Sequence, residues 1–124
     1  MTQWIYVMLA GAVGSAARYA CSTVCLRWSG TGWPLGTMFV NLLGCFLIGL
    51  FVTVFQNKSG ISKELQIALI AGFLGAFTTF STLIFETVEL TKQGQQILAL
   101  GYVLLSVAAG FLIFQLGVVV AELF

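Results

Sequence analysis

The chain has 124 residues, 60% of them hydrophobic and 7% charged, with a mean hydropathy of +1.06 and a net charge of +1. Five basic and four acidic residues cannot clothe a soluble surface, which ordinarily draws on about a quarter of the residues. The composition therefore describes an integral membrane protein of one small domain, residues 1–124, with no basic patch for nucleic acid. Histidine and aspartate are absent, which removes the commonest general base and leaves the serines with nothing to activate them, so enzymatic chemistry is not expected.

The first apolar run extends from about Trp4 to Leu26 and carries one charge, Arg18. It is long enough to cross a bilayer as a helix. No basic stretch precedes it, and Arg18 interrupts it where a secretory cleavage site would fall, so it reads as a retained span rather than a signal. Gly11, Ser15, Arg18 and Ser22 share one helical face. A membrane arginine is a functional candidate by default. Arg18 can attract an anion at a vestibule, snorkel to the interface or bond backbone carbonyls. A vestibule or structural role is favoured, because a permanent charge inside a pore would trap a small anion. Cys21 and Cys25 lie one turn apart, and with Cys45 they read as packing residues, since a zinc pair would need two further ligands.

The second run, about Leu35 to Gln56, has no charge and follows Pro34, a residue tolerated in a helix's first turn. Thr37 and Asn41 lie a turn apart within it, with Gly44 next. The third runs from Leu65 to about Thr87, with Glu86 its only charge. Its centre, residues 72–82, reads GFLGAFTTFST. Two glycines and a hydroxyl run at that depth predict a broken helix, whose freed backbone can build an ion site against protein or a cavity. The same residues also suit a small-residue packing face with hydroxyls bonded back to their own helix. Thr78, Ser81 and Thr82 form one stripe, and Phe73, Phe77, Phe80 and Ile84 another. The fourth run, Ile97 to Ala121, is uncharged and aligns Tyr102, Ser106 and Gly110. The connections Arg27–Trp33, Asn57–Glu64 and Glu89–Gln96 hold most of the polar residues.

The expected fold is all-α, with four transmembrane helices and the third broken mid-membrane; the apolar runs are too long and continuous for barrel strands. Lys58 and Lys63 fall on one side of such a topology, Arg27 and Lys92 on the other. This tie leaves two readings of the positive-inside rule: noise in a small count, or a chain that inserts both ways so that opposite copies pair. Amides, hydroxyls and aromatic edges present positive hydrogen, and no carboxylate lies mid-span, so the inventory favours a small anion over a cation.

The segments Gly11-x-x-Gly14 with Arg18-Tyr19, Gly36-Thr37 with Val40-Asn41-x-x-Gly44, and Gly72-Phe73-x-Gly75-x-x-Thr78-Thr79-Phe80-Ser81-Thr82 resemble the bacterial dual-topology fluoride channels, the CrcB or Fluc family, over essentially the whole chain. The resemblance implies passive, selective fluoride export across the bacterial cell membrane by an antiparallel homodimer with two pathways. It implies a structural sodium ion at the dimer centre, held by the backbone carbonyls of Gly75 and Thr78 from both copies. In the pathway, Asn41 would donate its amide, Phe80 would present its ring edge, and Ser81, Thr82, Tyr102 and Ser106 would supply hydroxyls. Glu86 matches a family acidic position near one end, and Arg18 the arginine ending the first span. Leu83 stands where the family often has a second phenylalanine, so either one phenylalanine serves each pathway or Phe77 compensates from a turn away. Two rival readings stand beside it. A small multidrug-type proton-coupled exporter relies on a glutamate in its first span, where this chain has Arg18 and no acid. A non-conducting membrane assembly protein is compatible with the composition and would show no ion flux.

Overall fold

The computed structural model describes residues 2–29 and 33–124, without the side chains of residues 28 and 29. The described residues are helical, with no strand. Helix α1 spans Thr2–Ser29, α2 Leu35–Asn57, α3 Lys63–Ile67, α4 Gly75–Phe77, α5 Phe80–Lys92 and α6 Gln96–Ala121; a π-helical segment, Ala68–Leu74, joins α3 to α4. Segments α3 to α5 form one interrupted rod, Lys63–Lys92. This rod, α2 and α6 are each long and apolar enough to cross a membrane. At 28 residues α1 has the length as well, roughly 42 Å at the helical rise. Arg18 and a scatter of serines and glycines make it less apolar than the other three. The first predicted connection, Arg27–Trp33, lies partly outside the described residues, and α1 continues through Arg27.

The helix ends follow local chemistry. The Ser62 hydroxyl accepts the Leu65 N–H at the start of α3, where Glu64 also faces the positive helix end. Gly60 and Gly94, with φ of +116° and +77°, turn the chain between the rods. α2 and α6 pack so closely that a Cβ added at Gly49 would overlap the Phe114 carbonyl, and one at Gly117 the Phe46 carbonyl. Such contact is how membrane helices associate without a hydrophobic drive. α1 lies against the π-helical segment in the same manner, Gly14 facing the Phe73 backbone.

The apolar core lies between α2, α5 and α6, where Leu83, Leu90, Ala99 and Tyr102 are buried together and Met38 packs against them. Large apolar side chains cover the outside, among them Met8, Leu9, Leu104, Phe111 and Leu116, as a lipid-facing surface requires. The predicted break in the third rod is present within the segment 72–82, three residues beyond Gly75. Gly72 sits in the π-helical segment and Gly75 opens α4, while the chain leaves the helix at Thr78 (φ −85°, ψ 159°) and Thr79 (φ −151°, ψ 117°).

Candidate functional site at the broken helix

Breaking a helix in a membrane frees backbone groups that lipid cannot satisfy. Here four of the freed groups, the Thr78 and Thr79 carbonyls and the Thr79 and Thr82 N–H groups, meet a named side chain. Thr79 caps α5, its hydroxyl accepting the Thr82 N–H at 3.2 Å and donating to the Thr82 hydroxyl at 3.0 Å. The Ser81 hydroxyl lies 3.3 Å from that of Thr79. Thr78 turns its hydroxyl back to the Leu74 carbonyl at 3.0 Å.

From α2, Asn41 reaches the same point with both halves of its amide. Its Nδ2 donates to the Thr79 carbonyl at 3.0 Å, and its Oδ1 accepts the Thr79 N–H at 2.8 Å. From α1, Arg18 donates to the Thr78 carbonyl at 3.3 Å, one of the roles expected of it. The consequence for the carbonyls is specific. In a continuous helix the Gly75 carbonyl would take the Thr79 N–H and the Thr78 carbonyl the Thr82 N–H. The first donor goes to Asn41 and the second to the Thr79 hydroxyl, so neither carbonyl has its helical partner.

Two cavities adjoin the break, and Thr79 lines both. The larger, about 360 Å³, is bounded by Asn41, Thr78, Phe80, Leu83 and Ser106 and has no charged residue in its lining. Gly75 and Cys45 also border it. The Ser106 hydroxyl is buried there with no hydrogen-bond partner. The other, about 280 Å³, is polar and holds Ser15, Arg18, Ser22, Thr37, Thr82 and Glu86.

Glu86 is the acidic residue in the wall of the second cavity. Thr37 donates to its Oε1 and Tyr102 to its Oε2, each at 2.7 Å. The sequence spacing grouped Thr37 with Asn41, but its hydroxyl serves Glu86 across 49 residues.

The structure thus gathers Asn41, Gly75, Thr78, Phe80, Leu83 and Ser106 round one cavity, and Arg18, Thr82 and Glu86 round the other. Tyr102, 1% exposed, belongs to the Glu86 cluster. Ser81 lies at the start of α5, exposed beside Thr79. Phe80 is 72% exposed in the single chain, whereas Phe77 is buried with its ring stacked on Phe73 at 5.7 Å. Thr79 was not singled out from the sequence; a hydroxyl residue followed by Thr82 three positions on was the available capping signal. Among the described residues no three of His, Cys, Asp and Glu gather as metal ligands.

A bundle of long apolar helices around an interrupted rod, with amide, hydroxyl and carbonyl groups converging inside it, defines a polytopic helical membrane protein with an intramembrane polar site. The chain belongs to the CrcB-like protein (camphor resistance, CrcB) family, whose pattern it matches over residues 5–118. It is 41% identical over 122 residues to a protein of Citrifermentans bemidjiense, covering 98% of both chains. It is 42% identical over 95 residues to one from Maridesulfovibrio salexigens, covering 77% of this chain and 75% of the relative. A protein of Chloroflexus aurantiacus is 36% identical over 118 residues, 95% of this chain and 94% of its own. All three relatives carry the name fluoride-specific ion channel FluC.

Proposed function

We propose that this chain conducts fluoride selectively and passively across the bacterial cell membrane, lowering cytoplasmic fluoride. The name of its full-length relatives supports the reading. The observation that carries it is the cavity at the break, lined by the Asn41 amide, the unpartnered Ser106 hydroxyl and Phe80, with no charged residue. Fluoride is small and strongly hydrated, so a path must replace its water with fixed donors, and weak neutral donors let it leave again. Asn41 retains one N–H beyond the one given to Thr79, and the two-sided bond to Thr79 fixes where that hydrogen points. Phe80 offers ring-edge hydrogens, while Ser81, Thr82 and Ser106 supply hydroxyls along the way; Tyr102 acts through Glu86, to which it gives its own hydroxyl hydrogen.

The assembly in this reading is an antiparallel homodimer of four-span subunits with two pathways. Gly75, Phe80 and Ser81 are exposed in the single chain beside the broken backbone, a surface that hydrocarbon covers poorly and a second copy covers well. The even split of loop charges suits insertion in both orientations. At the two-fold axis the Gly75 carbonyl, relieved of its helical donor, and the Thr78 carbonyl, through the lone pair that Arg18 does not take, would hold a sodium ion, a hard cation that takes neutral oxygen ligands. Sodium there would neutralise the crowded carbonyl dipoles of two facing breaks.

The test is fluoride efflux from liposomes bearing the purified protein, with a potassium ionophore to remove the electrical back-pressure and chloride as a parallel control. Rapid, ionophore-dependent fluoride efflux with little chloride flux is expected. A well-folded dimer that passes no fluoride overturns the reading.

A further inference from the structure

We infer that Asn41 is a positioning residue for the central cation site: by holding the Thr79 N–H, it keeps the Gly75 carbonyl out of the helix and open to a metal ion. The inference rests on the sodium reading above. Its basis is the competition between two acceptors for one hydrogen. Thr79 N–H is the donor that Gly75 would take in an uninterrupted helix, and it lies 2.8 Å from Asn41 Oδ1 instead. The opposite half of the same amide holds the Thr79 carbonyl at 3.0 Å, so the residue is clamped in extended backbone, φ −151° and ψ 117°, from both sides.

The clamp has no substitute nearby. Val40 and Thr79 are buried, so water does not compete freely for these groups. The flanking segments are already helical: α4 ends at Phe77, and α5 begins at Phe80. Once Asn41 is gone, Thr79 has an unsatisfied N–H in a buried setting, and the acceptor that a helix would supply is the Gly75 carbonyl. Forming that bond mends the helix and withdraws the oxygen from the cation. A single amide therefore couples two features: its free N–H faces the anion cavity, and its bonded half sets the cation ligand.

The experiment is a sodium titration of thermal unfolding, made on the purified full-length dimer after dialysis into sodium-free N-methylglucamine chloride at constant ionic strength. Binding to the folded state raises the unfolding midpoint with the logarithm of sodium concentration above the dissociation constant. Asn41→Ala is expected to shift the sodium concentration at which the midpoint begins to rise upward by about tenfold, the equivalent of one lost hydrogen bond. Asn41→Asp keeps an acceptor for the Thr79 N–H and loses the neutral donor, so it is expected to retain the sodium response while fluoride efflux collapses. Ser106→Ala should lower efflux and leave the titration on the wild-type curve. Where Asn41→Ala gives no folded dimer, Asn41→Leu, which preserves the volume, takes its place. Asn41→Ala or Asn41→Leu titrating like the wild type overturns the proposal. So does an Asn41→Asp chain that loses the response along with them. A wild-type chain indifferent to sodium overturns the sodium reading itself, and the proposal with it; that outcome is recognised without reference to any variant.

Discussion

Tyr102, 1% exposed, donates its hydroxyl to Oε2 of Glu86 at 2.7 Å and is thereby locked to a carboxylate on the neighbouring helix. Thr37, itself buried, donates to the other oxygen, so Glu86 spends both oxygens on hydroxyls from α2 and α6. The cluster ties three helices where their apolar packing would otherwise hold a lone acid. Tyr102→Phe or Thr37→Val leaves one carboxylate oxygen short of its donor. Each is expected to lower unfolding free energy by about 1.5–3 kcal/mol, the usual range for a hydrogen bond to a charged group. Denaturant or thermal unfolding in detergent measures this, and a loss below a few tenths of a kcal/mol would contradict the cluster's structural role.

Ser106 gives the opposite sign. Its hydroxyl is buried without a partner, a condition that costs about 1–3 kcal/mol. A residue that weakens the fold while facing a donor-lined cavity fits a donor reserved for a passing ion. Ser106→Ala should leave stability unchanged or raise it, and should slow fluoride efflux. A variant both less stable and equally fast would place Ser106 in packing instead.

How much of this was legible beforehand depended on distance along the chain. Spans two to four followed from unbroken apolar runs, whose ends Pro34, Ser62 and Gly94 mark by their own backbone chemistry. The interruption of the third rod was legible from GFLGAFTTFST, but its position was not, because glycine permits a break without requiring one. What places it at Thr78–Thr79 is a bond from Asn41, 38 residues earlier, and the capping hydroxyl of Thr79. Helical spacing correctly put Thr37 and Asn41 on one face of α2, yet they serve different partners, Glu86 and Thr79. Periodicity ranks residues by face; it carries no information on which distant group each will meet. The π-helical turn at Ala68–Leu74 had no sequence signal of its own.

The exposed Phe80 and the buried Leu83 separate conduction from folding on one helix. Phe80 is 72% exposed in the subunit, so Phe80→Ile removes little packing within it, and any loss of fluoride efflux reports the ring edge. We expect at least a tenfold fall at unchanged dimer yield, on the order of one aromatic contact's worth of free energy. Leu83, 4% exposed, packs with Leu90, Ala99 and Tyr102 and also borders the cavity of about 360 Å³. Leu83→Ala should cost about 2–5 kcal/mol of stability through the core contacts it removes. Unfolding curves beside efflux traces on the same preparations resolve the two effects. Equal stability loss in both variants would mean that the phenylalanine also packs within the subunit.

The crossing of α2 and α6 offers a test of the fold alone. A Cβ at Gly49 would overlap the Phe114 carbonyl, a backbone atom that no rotamer change can move aside. Gly49→Ala therefore forces the two helices apart along a contact where close approach supplies the association energy. Gly101, on the same α6, has nothing within 4 Å of an added Cβ. Gly101→Ala should be tolerated, and helix propensity alone predicts a gain of roughly 0.5–1 kcal/mol. Gly49→Ala should cost about 3 kcal/mol or more, beyond the ordinary range of single substitutions and typical of forced overpacking. Thermal midpoints of the two alanine variants, side by side, decide the matter: a rise or no change for Gly101→Ala with a steep fall for Gly49→Ala is the expected pair. Equal midpoints would mean that α2 and α6 are held mainly by side chains and not by backbone contact.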